Sequence, residues 1–168
     1  SKALFVTEDP LDAIAHSQLF PGARYAYLCT GGTSTKAQRE MIHSFSQKFK
    51  LPIILGNDND LAGQLENFKL AYHTANIEYA INSKTQRVLL TVNGAEREWG
   101  KDEIVAALQA VMKQRPNMIL SIPWAKDWND DLRSSKKSIS LRIAENMARV
   151  QIETTKSEQR GMIAGKLP

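Results

Sequence analysis

Pro52-Ile53-Ile54-Leu55-Gly56-Asn57-Asp58-Asn59-Asp60 is the stretch on which the reading of this chain turns. A short apolar run breaks at a glycine into a polar, doubly acidic segment, and a helical pattern starts at Leu61. Such runs ahead of helices read as buried strands of a parallel sheet. A second run, Ala3-Leu4-Phe5-Val6-Thr7-Glu8, has the same form and also ends on an acid. Acids placed where parallel strands finish lie at the carboxyl edge, where open α/β sheets take ligands. Glu8, Asp58 and Asp60 brought together there would repel one another. A hard divalent cation with oxygen ligands relieves that repulsion; Mg²⁺ is the usual choice beside phosphates, and Mn²⁺ suits the same donors.

Working outward, Ala3–Thr7 forms the first strand of the expected fold. Asp9 caps a helix with Pro10 in its first turn, and Leu11, Ile14, Ala15 and Leu19 supply its apolar stripe before Pro21-Gly22 stops it. Arg24–Thr30 reads as a second strand, closed by Gly31-Gly32. Ser34 or Thr35 caps a helix over Lys36–Phe49 with Met41, Ile42, Phe45 and Phe49 facing inward. Pro52–Asn57 is the third strand, and Leu61–Ala75 the third helix, with Leu61, Leu65, Phe68 and Tyr72 at helical spacing. This β-α-β-α-β-α order with short connections predicts an α/β fold. Its central sheet is mostly parallel, with right-handed crossovers and helices on both faces.

The pattern changes after Ala75. Strand-like patches at Tyr79–Ile81 and Val88–Val92 flank a polar turn, and Asn93-Gly94 is a hairpin signal. Lys101–Lys113 reads as a helix with Ile104, Leu108, Val111 and Met112 buried, and Met118–Ile122 as a further core strand. Residues 77–116 are therefore expected to be an inserted hairpin and helix, within a domain spanning residues 1–133. Residues 134–168 form a basic C-terminal extension, in part helical, with Ile139, Ile143, Met147 and Val150 on one face.

The extension holds seven Lys/Arg against three Asp/Glu, which accounts for the whole net charge of +4 of the 168-residue chain. A basic extension of this kind attracts polyanions, nucleic acid among them. Hydrophobic content of 42% and charged content of 24% are ordinary for a soluble globular protein. No stretch is long and apolar enough to span a bilayer and no leader pattern opens the chain, so no membrane partner is expected. The single cysteine, Cys29, fits a reducing, cytoplasmic setting, and with three scattered histidines it offers no zinc spacing. His16, His43 and His73 read as ordinary helix residues. Trp124 and Trp128 read as packing residues in preference to base-stacking ones.

Alternate side chains of an extended segment point the same way, so Asp58 and Asp60 converge if the strand end stays extended. Gly31 and Gly32 permit backbone shapes closed to other residues; they either bring amides to a phosphate ahead of a helix N-terminus or make only a tight turn. Lys126 and Asp127, just past the last strand, reach the same edge.

These residues in this order resemble the TOPRIM family, the magnesium-binding domain shared by topoisomerases, bacterial primases and several nucleases. Glu8-Asp9-Pro10-Leu11-Asp12-Ala13 is similar to the primase-type glutamate motif. Asp58-Asn59-Asp60-Leu61-Ala62-Gly63-Gln64 is similar to the Asp-x-Asp-x-Ala-Gly motif. Thr30-Gly31-Gly32-Thr33 stands at the family's glycine-bearing loop. Lys126-Asp127-Trp128-Asn129-Asp130 resembles a late motif of TOPRIM-like proteins of mobile-element replication and mobilisation. The likeness covers about residues 2–132. A glycine that often follows the family's glutamate is Asp9 here, and no zinc ribbon or topoisomerase tyrosine domain is present.

The resemblance implies a Rossmann-like TOPRIM fold and Mg²⁺ held by Asp58 and Asp60. Glu8 would be a further ligand or a catalytic general acid/base. Asp12, Gly31, Gly32, Lys126 and Asp127 would support the metal or bind phosphate. The activity it implies is primase-like nucleotidyl transfer on nucleic acid, DNA rather than RNA, within a larger plasmid or transposon replication or mobilisation protein. A TOPRIM nuclease using the same acids, or a non-catalytic nucleic-acid-binding module, are the alternatives.

Overall fold

The computed structural model describes residues 1–135. Ser1–Leu132 forms one unit, whose architecture follows. The amphipathic segment expected around Ile139–Val150, and nearly all of the basic extension, lie outside the described residues.

Four parallel strands make the central sheet: β1 (Ala3–Thr7), β2 (Tyr25–Cys29), β3 (Ile53–Leu55) and β7 (Met118–Leu120), in the order β2-β1-β3-β7. Register sets Val6 beside Leu28 on one side and Leu55 on the other, so β1 and β3 finish side by side. α1 (Pro10–Leu19), α2 (Lys36–Phe49) and α3 (Leu61–Ala71) follow the first three strands. Alternation along β1 sends Leu4 and Val6 to a core shared with Ile42, Leu65, Phe68, Ile104 and Leu108. Ala3 and Phe5 go to a second core with Ala15, Leu19, Ile54 and Trp128. Helices thus cover both faces, as the element order required. Burying a side chain such as Phe5, 0% exposed, contributes about 1.5–3 kcal/mol.

Between α3 and β7 lies a three-stranded antiparallel sheet, β4 (Ile77–Asn82), β5 (Arg87–Val92) and β6 (Ala95–Gly100), followed by α4 (Lys101–Gln114). Asn93 (φ 52°) and Gly94 (φ 86°) make the tight β5–β6 turn with both residues left-handed, the geometry an Asn-Gly pair favours. The expected hairpin is therefore a meander with one more strand. Val88 and Leu90 of β5 join the first core together with Ile104 and Leu108 of α4.

Several expectations shift. In α1, Ala15 and Leu19 are buried but Leu11 and Ile14 are 61% and 52% exposed, and Asp12 and His16 face inward in their place. In α2 only Ile42 of the expected apolar set is buried; Met41, Phe45 and Phe49 are exposed. Its inner face carries Arg39, His43 and Ser46, which donate to the carbonyls of Ser34, Leu70 and Leu51 at 2.9, 2.8 and 2.6 Å. Those polar residues satisfy backbone oxygens and so turn the helix by about one residue from its apolar phase. β7 is a short edge strand, and a helix not expected from sequence, α5 (Trp128–Ser134), follows it.

Candidate metal centre

β3 ends at Leu55, three residues before the first aspartate, so Asp58 and Asp60 belong to the loop that launches α3. Gly56 sits where any Cβ would strike the Phe5 ring, and its amide bonds the Val6 carbonyl at 2.8 Å. That contact locks the loop to the end of β1, directly before Thr7 and Glu8.

The loop is held from below by α3. Asn67, 0% exposed, accepts from the Asn57 backbone and side chain at 3.3 and 3.0 Å. Gln64, also 0% exposed, donates to the Asp58 carbonyl at 2.8 Å. Gly63 lies so close to the Asp58 backbone that a Cβ would stand 2.7 Å from its nitrogen. Asp60 caps α3: its backbone is extended (φ −112°, ψ 179°) and its Oδ1 accepts the Gly63 amide at 2.8 Å. The remaining oxygen, Oδ2, is 4.0 Å from the Lys126 ammonium. Asn59 donates its amide to the Lys126 carbonyl at 2.7 Å, tying this loop to the one after β7.

Glu8 follows β1 at the same edge. Its carbonyl accepts the Gly31 amide at 2.9 Å, so Gly31 holds Glu8 in place and its own N–H is already used. Gly31 and Gly32 take left-handed φ values of 71° and 119°, which accounts for both glycines. Thr35, not Ser34, caps α2 with a capping box through Gln38. Ser34 instead gives its amide and hydroxyl to Glu66 at 3.0 and 2.7 Å. Glu66 pairs with Lys69 at 2.5 Å, and both are buried. Sequence reading missed this buried pair and the Gln64/Asn67 brace. Charged and amide residues on an amphipathic pattern look solvent-facing until their partners are known: Ser34, 32 residues from Glu66, and the Asn57-Asp58 turn for Gln64 and Asn67.

Asp12, 4% exposed, accepts from the Asn129 side chain at 3.1 Å. Asp127 caps α5 through the Asp130 amide at 2.8 Å. Asp131 fixes the loop before it by accepting the Trp124 and Ala125 amides at 2.7 and 2.8 Å. Trp128 is buried and donates its indole N–H to the Gly56 carbonyl at 2.8 Å, whereas Trp124 is 52% exposed. The histidines lie outside this edge. His16 is buried against Phe5, Phe20 and Trp128, and His43 stacks on His73 at 3.5 Å.

The electrostatics show which acids face one another. The Asp58 carboxyl is pushed up from 3.8 to about 7, first by burial and then by the charges of Asp12, Asp60 and Asp127, with Lys126 opposing. Glu8 is raised by burial and then by Glu66, Asp60, Asp9 and Asp12. Asp12 is raised by burial and then by Asp127. Carboxyls from the β1–α1 turn, α1, the β3–α3 loop and the β7–α5 loop therefore share one carboxyl edge.

Among the described residues, no three His, Cys, Asp or Glu side chains stand close enough to enclose an ion as they lie. The donors nonetheless suit a hard, hydrated cation. Three buried side-chain oxygens at this edge, Thr7 Oγ1, Asn57 Oδ1 and Asp58 Oδ1, have no hydrogen-bond partner. Mg²⁺ takes oxygen ligands, uses one or two carboxylates and keeps several waters, which orphaned oxygens of this kind accommodate.

Fold and site together define a class: an α/β domain with a four-stranded parallel sheet and a carboxylate cluster where its middle strands end. The model of the Toprim-like family matches residues 5–87, and this part of the chain is a TOPRIM-like domain. Such domains process nucleic acid with a metal, generally Mg²⁺ bound through acidic residues. Neither the curated proteins nor the solved structures contain a match to the chain. No described helix is long and apolar enough to cross a membrane.

Proposed function

We propose that this domain performs Mg²⁺-dependent nucleotidyl transfer on nucleic acid in the manner of a primase. Its setting is a larger cytoplasmic replication or mobilisation protein of a plasmid or transposon, and its polymer is DNA. One observation carries the metal assignment: Asp58 holds a buried, unpartnered carboxylate oxygen against three further acids. As a carboxylate, a group so placed is costly unless a cation joins it; without one it holds its proton to about pH 7.

Asp58 and Asp60 are the metal ligands in this reading. Asp60 would bind through Oδ2 while Oδ1 keeps the α3 cap. Glu8, with its proton affinity raised, either completes the ligand set or takes the proton from an attacking hydroxyl. Bound here, Mg²⁺ would neutralise charge growing on a phosphate. Gly31 fixes Glu8, Gly32 shapes the loop ahead of α2, and Asp12 and Asp127 supply the negative field that favours the ion. Lys126, exposed beside Asp60, meets a phosphate oxygen.

Incubation with Mg²⁺ or Mn²⁺ and single-stranded DNA, with and without nucleotides, tests the reading. Labelled oligomer synthesis that Asp58→Ala abolishes supports it. Shortening of the DNA would replace it with a nuclease, and inertness of the full chain under both conditions would reduce it to a binding module.

A further inference from the structure

We propose that Lys101, delivered by the segment between α3 and β7, is a nucleic-acid phosphate contact that works with Lys126 across the Asp58-Asn59-Asp60 loop. The proposal rests on the nucleic-acid reading above and extends it to a part of the chain beyond the family match, which ends at residue 87.

The Lys101 ammonium lies 3.3 Å from the Asn59 carbonyl and 3.3 Å from the Asn59 side-chain oxygen. Asn59 is the residue between the two aspartates. Lys126 touches the same loop through Asp60 at 4.0 Å and through the Asn59 amide. The two lysines arrive from different sides. α4 packs in the core with α2 and α3, whereas the Lys126 loop leads into α5, whose Trp128 belongs to the opposite core. Two cations thus reach the loop that carries Asp58 and Asp60.

Both acceptors of Lys101 are neutral oxygens, and no carboxylate among the described residues pairs with it. Its charge is fixed in position but not cancelled, and an ammonium has three donors, of which the two Asn59 oxygens use at most two. The position itself is built. Gly100 caps α4, and its amide donates to Glu103 at 2.7 Å. Arg87 of β5 holds Glu103 at 2.9 Å; the Gly100 hydrogen bond, and after it Arg87, lowers that carboxyl. The meander therefore acts as a frame for the first residue of α4. A cation at the first position of a helix is set against the helix dipole, so stability alone does not account for a lysine there.

The test uses the full chain and fluorescence anisotropy of a labelled single-stranded DNA oligomer in Mg²⁺, over a salt series. The variants are Lys101→Gln, which keeps a donor for Asn59 without the charge, and Lys101→Arg, which keeps the charge. Each lost phosphate contact lowers the slope of log K against log[salt] by about 0.7 for single strands. Lys101→Gln is expected to lower it by about that amount with an unchanged melting temperature, and Lys101→Arg to restore it. Equal slopes for wild type and Lys101→Gln would overturn the proposal and leave the metal assignment standing. So would a change confined to Mn²⁺ affinity, the mark of a tether that only holds the loop, or an Arg variant that behaves like the Gln one. Failure of the wild type to bind the oligomer at all would overturn the nucleic-acid reading itself.

Discussion

Replacing Asp58 by Asn is expected to stabilise the metal-free domain at pH 8 and to change little at pH 4. The Asp58 carboxyl is pushed up from 3.8 to about 7, so the folded protein keeps this proton where the unfolded chain has released it. Stability gained in this way is complete below the unfolded value and is lost as pH rises through the folded one. The whole gap corresponds to about 4 kcal/mol at 1.36 kcal/mol per tenfold change. Asp58 is half-buried, and water screens its neighbours, so a cost of about 2 kcal/mol at pH 8 is expected. Asparagine keeps the shape and removes the charge. For a domain of this size 2 kcal/mol is about 4–8 °C in Tm. Thermal melts in chelator-containing buffer from pH 4 to 8 read the difference directly. An Asn variant that melts lower than wild type at pH 8, or a gap that is the same at every pH, refutes the reasoning.

Three further outcomes follow from the packing. Gly63→Ala forces a methyl group against the Asp58 backbone and is expected to cost about 1–3 kcal/mol in chemical denaturation, with weaker Mn²⁺ binding. Glu66→Gln leaves the Lys69 ammonium buried without its carboxylate, a loss of about 3–5 kcal/mol by the same assay; adding Lys69→Met is expected to recover most of it. His16 is held down at about 3 by burial, so its contribution is full above the unfolded value of 6.5 and falls as pH drops from there towards 3. His16→Phe is expected to flatten the decline in stability between pH 6.5 and 4, by about 2 kcal/mol at pH 5, in melts across that range.

The sheet was legible because its strands are short, apolar and followed by capped helices. Ala3–Thr7 and Lys36–Phe49 match the sequence expectation to the residue. Asn93-Gly94 announced its turn because few other pairs tolerate two left-handed residues. The inner faces of α1 and α2 were not legible. There Asp12, His16, Arg39, His43 and Ser46 are buried by partners that only the fold brings near, while Leu11, Ile14, Met41, Phe45 and Phe49 point to solvent. At the candidate site the acids were visible as residue types. Their supports were not: Gln64 and Asn67 look like surface positions of α3 until the Asp58 loop folds back onto them. Asp60 also read as a strand end, whereas the earlier close of β3 at Leu55 makes it a helix cap. Lys101 gave no signal at all, because 42 residues separate it from Asn59.

Calorimetric titration of the metal-free protein with Mn²⁺, repeated on Asp58→Asn and Asp60→Asn variants shown to be folded by circular dichroism, reaches the centre of this account. The predicted result is a saturable site in the wild type that either substitution removes. A wild type that takes up no divalent ion, or variants that bind it as tightly, would contradict the assignment of these carboxylates to a metal.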